Sequence, residues 1–248
     1  MRPGIDPRVV PPVSRLCDDL LKVADRELVG VYVHGSAVLG DFIAGASDLD
    51  VLIVTRDSIE RDSIAALAET LAACDPSPAV GVEASVVTRS AAMLPRAPWP
   101  FLVHVTNHPD DSKVVYAVDC DGDPDLVLHY SVLRQRGWTA AGTPAADIVG
   151  EIDRATIVAR LAAELKWAAG NASESYAVLN ACRALRFVSD GTVCSKSEGG
   201  SWALRGQIEQ DLVEAALAAR RGGPARPASA AGRAWVLSIA SGLEQAEQ

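Results

Sequence analysis

Apolar residues along the chain change their spacing near its middle. Before residue 124 the strongest patterns have the alternation or continuity of strands; after it they return every three or four residues, as on helices. Residues 13–28 place Val13, Leu16, Leu20, Val23 and Ala24 on one helical face, and Gly30 ends that pattern. A short strand is expected over 31–34. Leu49–Thr55 (LDVLIVT) is nearly all apolar and rich in β-branched residues, as in a strand covered on both faces. Ser58 predicts the cap of a helix reaching residue 74, with Ile64, Leu67, Ala68 and Leu71 inward. Residues 81–88 (GVEASVVT) predict a third strand, and 101–105 and 114–118 two more. Residues 1–12 carry four prolines and read as a loose arm.

Helices are expected over 125–135, 155–169, 174–189, 202–219 and 233–243. Ser173-Glu174 opens one of them, and Asp190-Gly191 closes it as a left-handed cap does. Strands first and helices later predict an α+β chain: a mixed β-sheet with helices over 1–140, then an α-helical bundle over 141–248. The 137–144 stretch (GWTAAGTP) reads as the linker, and 222–229 (GGPARPAS) as a polar loop.

Composition narrows the possible partners. With 32 acidic residues against 23 Lys and Arg, the net charge of −9 opposes broad binding to phosphate backbones, so no nucleic-acid partner is expected. A cationic small molecule is compatible with it. Five scattered cysteines without a C-x-x-C pair predict a reduced, cytoplasmic protein. The start lacks the apolar core of a signal peptide, and no apolar run is long enough for a membrane span, so no membrane partner is expected. The oligomeric state is not encoded in any pattern found.

Chemistry concentrates in residues 33–55, VHGSAVLGDFIAGASDLDVLIVT. Asp48 and Asp50 stand two apart at the start of a strand, so both point to one face. Two like charges that close raise each other's pKa, a cost that a divalent cation removes. Mg²⁺ takes oxygen ligands, usually one or two carboxylates with phosphates and water. Gly35 permits close backbone approach, and Ser36 with Ser47 adds hydroxyls and N–H groups for a triphosphate. A third acid, Glu83, interrupts the otherwise apolar GVEASVV run. Such a carboxylate is costly unless it is paired or binds metal. Glu83 can complete the metal set and take the proton of an attacking hydroxyl.

The pattern G-S, then about ten residues, then D-x-D after a strand resembles the DNA-polymerase-β-like nucleotidyltransferases. Within them the helical half resembles the aminoglycoside (3″)(9) adenylyltransferases. The matching residues are 125–133 (DLVLHYSVL), Gly142-Thr143-Pro144, and Arg183, Gly191-Thr192-Val193, Lys196 and Trp202-Ala203 within 176–204. The resemblance implies a nucleotidyltransferase domain followed by a helical C-terminal domain, with Mg²⁺ and ATP. It also implies that Arg183 and Lys196 reach the nucleotide, and that the acceptor is an aminoglycoside- or aminocyclitol-like cation or polyol, of spectinomycin or streptomycin type. Streptomycin-using relatives have a Trp followed by acids between two helices. Here Trp167 is followed by AAGNAS and then Glu174, and Thr106-Asn107-His108 stands where the family often has a drug-stacking Trp. Trp167, Glu174 and Asn107 are therefore the acceptor-site candidates. Two other readings of the same core stay open: a protein adenylyltransferase of antitoxin type, and a non-catalytic nucleotide-binding relative.

Other features carry less. The 119–125 run (DCDGDPD) lacks the Gly and Glu positions of a calcium loop, and reads as a solvated acidic turn that lends negative potential. The four histidines have no metal-ligand spacing, and packing is the expected role of His34.

Overall fold

The computed structural model describes residues 4–223 and 229–245. The chain forms two compact units, the first ending at Ile152 and the second beginning at Asp153.

In chain order the first unit contains α1 (Val10–Ala24), β1 (Leu28–Val33), β2 (Leu49–Thr55), α2 (Arg61–Ala73), β3 (Val82–Thr88), α3 (Arg89–Met93), β4 (Val103–His108), β5 (Asp111–Tyr116), α4 (Leu126–Arg136), β6 (Trp138–Gly142) and α5 (Ala145–Ile148). The six strands make one sheet in the order β5-β4-β3-β2-β1-β6. Only β2 and β3 run parallel, as the α2 crossover between them requires; the other neighbours are antiparallel. β2 is central, and five of its seven residues are fully buried, at 0–1 % exposure, besides the 0 % of Thr55.

Alternation along the strands sends Tyr32, Leu52, Val54 and Val87 to one face, where they pack with Leu126, Tyr130 and Leu133 of α4 and with Ile148. The intervening residues, such as Val31, Val51, Ile53 and Val86, face the other side, where α1 and α2 lie. The residues that begin β2 and β3 on the α4 face are not apolar: they are Asp50 and Glu83.

Four local expectations change. Residues 138–142 are the edge strand β6, paired with β1, and not a linker. Short runs such as WTAAG carry too little periodicity to reveal a strand whose register comes from its partner. The division between units therefore falls after Ile152 and not at 140. The described part of the arm is not loose: a 3₁₀ turn Pro7–Val9 leads into α1, and the Asp6 N–H donates to Ala37 O at 2.8 Å. Pro7, Pro11 and Pro12 sit at helix starts, where no N–H is missed. Glu60, not Ser58, precedes α2, and no side chain caps it.

The second unit is helical: α6 (Arg154–Asn171), α7 (Glu174–Asp190), α8 (Lys196–Arg205), α9 (Gln210–Arg220) and α10 (Ala230–Gln245). α7 begins at Ser173, whose hydroxyl accepts from Tyr176 N–H, and ends at Gly191 with φ 74°, as its sequence predicts. The single helix expected over 202–219 is two. The break holds Gln207 (φ 56°) and Glu209 (φ 41°), both in the left-handed region. α8 starts earlier than expected because Ser195 and Glu198 form a reciprocal capping box. Lys196 is thus the first residue of a helix, not part of a loop. Gly199 and Gly200 let α8 approach α7 and α9: a Cβ on Gly199 would lie 3.0 Å from Arg183 Cγ, and one on Gly200 2.8 Å from Leu217 Cδ2. Of the polar 222–229 loop, residues 224–228 lie outside the described residues.

No helix among the described residues is long and apolar enough to cross a membrane. All five cysteines are free thiols.

Candidate active site

The site follows from register. Asp50 pairs with Glu83 across the parallel β2–β3 ladder, and Glu83 pairs with Thr106 on β4, which pairs with Lys113 on β5. On the other side, the His34 N–H donates to Asp50 O at 3.0 Å. One row across the sheet therefore reads His34, Asp50, Glu83, Thr106, Lys113, all on the α4 face. Asp48 lies two residues before Asp50 and shares that face. α4 covers the apolar rows beneath, so the carboxylate row is left at the open end.

The turn after β1 is shaped around Asp50. Gly35 has φ 62°, and a Cβ there would stand 1.8 Å from Asp50 Oδ2. Only glycine meets both the backbone angle and the carboxylate's position. Gly35 O accepts from the N–H groups of Val38 and Leu39, closing a 3₁₀ turn over Gly35–Ala37. Ser36 Oγ is buried in this turn with no hydrogen-bond partner among the described residues. A buried hydroxyl left so is costly unless a ligand satisfies it. A glycine-backed carboxylate, a buried hydroxyl and a row of acids fit a divalent cation with phosphate oxygens. Among the described residues no three His, Cys, Asp or Glu groups converge as a closed cage. The donor set suits a metal that shares its coordination with phosphate and water.

Asp48 and Glu83 open onto a cleft of about 410 Å³. Its floor and far wall hold His104, Thr106, Lys113, Asp123 and Asp125. His104 is anchored laterally: its ring nitrogens lie 2.9 Å from Ser85 Oγ and 3.3 Å from Thr106 Oγ1. Burial pulls its pKa below the usual value, against the opposing pull of Glu83 and Asp123. His34 is 3 % exposed and its ring lies 4.6 Å from that of His129 on α4. Burial, then His129, holds His34 well below the ordinary histidine range. Burial thus disfavours a positive charge on either ring.

The structure thus brings Gly35, Ser36, Asp48, Asp50 and Glu83 together. Ser47 adjoins them, but its hydroxyl accepts from Ile43 N–H at 3.0 Å and closes the turn before Asp48. Asn107 is not in the cleft. Its Oδ1 accepts from Val82 N–H at 2.6 Å, and its Nδ2 donates to Cys74 O at 3.0 Å and Leu71 O at 3.3 Å. Odd-numbered Asn107 faces the α2 side, one position off the parity of Thr106. It braces α2 against β3, on the sheet face away from the cleft. Asn107→Ala is expected to lower stability by roughly 2 kcal/mol, because three backbone groups lose a partner. Acceptor KM should stay unchanged; a thermal melt with steady-state kinetics reads both.

The remaining candidates belong to the helical unit. Glu174 is 8 % exposed and its Oε2 accepts from Ser229 N–H at 2.6 Å, holding the start of α10. That hydrogen bond already engages one of its two carboxylate oxygens. Trp167 is 52 % exposed and meets Tyr176 edge-on at 6.3 Å. Arg183 donates to Cys194 O at 2.9 Å and to Asn180 Oδ1 at 2.8 Å. The Lys196 ammonium lies 4.1 Å from the Tyr176 ring centroid. Sequence reasoning missed His104, Lys113 and Asp123 as members of the cleft. For His104 and Lys113 the signal was strand parity: each shares the face of Glu83 once β4 and β5 are in register.

Comparisons with known proteins agree with this geometry. Residues 17–90 match the nucleotidyltransferase domain, and residues 147–241 match the C-terminal domain of aminoglycoside adenylyltransferase. No curated protein matches the chain. Among solved structures the fold is similar to spectinomycin adenyltransferase AAD(9) from Enterococcus faecialis, determined with ATP and spectinomycin. The TM-score is 0.70 at 16 % identity, covering 94 % of this chain and 98 % of that one. The first domain match holds Asp48, Asp50 and Glu83, the second falls on the helical unit, and together they span more than half the sequence: the chain belongs to the aminoglycoside adenylyltransferase-like nucleotidyltransferases.

Proposed function

We propose that this enzyme transfers AMP from ATP to a hydroxyl of an aminocyclitol-like small molecule, with Mg²⁺ as its metal. The observation that carries the reading is the carboxylate row, Asp50 beside Glu83 with Asp48 two residues before it, set against the Gly35-Ser36 turn. Asp48 and Asp50 hold the metal, which when bound neutralises triphosphate charge. Ser36 and the backbone of its turn receive phosphate oxygens. Glu83 takes the proton from the acceptor hydroxyl as its oxygen bonds to the α-phosphorus. The bond from that phosphorus to the bridging oxygen breaks, and pyrophosphate leaves with the electron pair. An ATP-using reaction of this kind belongs in the cytoplasm, where ATP is held.

The solved relative that carries ATP and spectinomycin supports the choice of nucleotide and acceptor class. Streptomycin has two guanidinium groups that call for bidentate carboxylates. Glu174, the acid nearest Trp167 in sequence, is already bonded to Ser229 N–H. Spectinomycin has no guanidinium and needs fewer acids. Pyrophosphate release measured with each drug should therefore give the higher kcat/KM for spectinomycin. Streptomycin ahead by tenfold would refute that ranking.

A further inference from the structure

The 410 Å³ cleft is asymmetric about Glu83. The phosphate turn follows β1 and the paired acids stand on β2, so both lie on one side of the base. The rest of the cleft extends the other way, over β4 and β5, to the loop before α4. In-line displacement requires the attacking oxygen to approach opposite the leaving pyrophosphate. The space over β4 and β5 is where an acceptor can both meet Glu83 and satisfy that geometry.

The far wall of this space is a built surface. Gly122 has φ 130°, and a Cβ there would lie 1.7 Å from Pro98 O, so the loop is laid directly on the 98–99 backbone. The Asp123 N–H donates to Trp99 O at 3.0 Å, and Asp123 Oδ1 accepts from Asp125 N–H at 2.9 Å. The Asp123 charge acts on His104 at the cleft floor and on the Tyr130 phenol. Tyr130 is 2 % exposed, and its hydroxyl has no partner among the described residues. Asp123 is therefore a part-buried residue of the cleft wall, held in place by its own loop. Lys113, the nearby cation of the cleft, is paired with Asp111 at 3.3 Å.

We propose that the acceptor lies over β4 and β5 and that Asp123 pairs with an ammonium group on it. The inference rests on the adenylyl-transfer reading and adds the requirement for a cationic amine within reach of the attacking hydroxyl. Asp123 is then a specificity-determining residue, with no part in binding ATP.

The test is steady-state pyrophosphate release by the full-length enzyme with ATP, Mg²⁺ and spectinomycin, which carries secondary amines. Asp123→Asn keeps the oxygen that accepts from Asp125 N–H and removes only the charge. It should raise the KM for spectinomycin roughly tenfold or more, the effect of losing one charge-assisted hydrogen bond. The KM for ATP should not move. Asp123→Glu restores the charge and should recover part of the loss, which a purely structural role would not. Asp121→Asn, in the same loop but outside the cleft wall, should behave as wild type. An unchanged spectinomycin KM in Asp123→Asn overturns the placement and leaves the adenylyl-transfer reading standing. Absence of pyrophosphate release by the wild-type enzyme with every aminocyclitol overturns that reading and the placement with it.

Discussion

Asp50→Asn is expected to remove nearly all transfer, a loss of more than roughly a hundredfold, while the fold stays intact. The substitution keeps the size and planarity of the side chain, so the contact with Gly35 survives. What disappears is one negative charge at the centre of the row. A neutral amide is a poor ligand for a hard cation, and the triphosphate would then face uncompensated acids on both sides. Stability should change by no more than about 1 kcal/mol, since the amide keeps the shape and one acceptor oxygen of the carboxylate. Turnover at saturating Mg²⁺, with a thermal melt of the metal-free protein, reads both parts. Retention of a tenth of wild-type turnover would contradict the role.

Glu83→Gln separates the base from the ligand. A general base contributes about 10²–10⁴ to rate, and its loss falls on kcat. If Glu83 chiefly accepts the acceptor's proton, kcat should drop by that range while ATP affinity measured by calorimetry changes less than about threefold. The neighbours of Glu83 favour this outcome. It stands between Asp50, on the metal side, and Thr106, on the side where the cleft continues. Equal losses in ATP affinity and kcat would make it a metal ligand and leave the base to be found elsewhere.

Part of the candidate site is legible in the sequence. The spacing of Asp48 and Asp50 determines their common face, and a charge inside GVEASVV demands a reason. The parallel pairing that sets Glu83 beside Asp50 was not legible, because register depends on the α2 crossover. The 119–125 loop is exposed at Asp119, Asp121 and Asp125, as its acids predict, and part-buried at Gly122 and Asp123. As a string of acids it reads as a solvated turn; Gly122 seats it on the 98–99 backbone, with Asp123 in the cleft wall. Asn107 lies off the cleft for a simpler cause. One step along a strand reverses the face, and its parity could not be known until β4 was paired. In the helical unit, Glu174 follows the Trp at a plausible distance in sequence. Its burial against Ser229 depends on where α10 begins, 55 residues later.

The central claim is that this chain joins AMP to a small aminocyclitol. Incubation of the purified protein with ATP, Mg²⁺ and spectinomycin, followed by mass spectrometry of the small-molecule fraction, tests it most directly. The account predicts a product heavier than spectinomycin by one AMP residue, formed one for one with pyrophosphate and absent with Asp50→Asn. Spectinomycin recovered unmodified, with AMP found instead on a protein target, would contradict it.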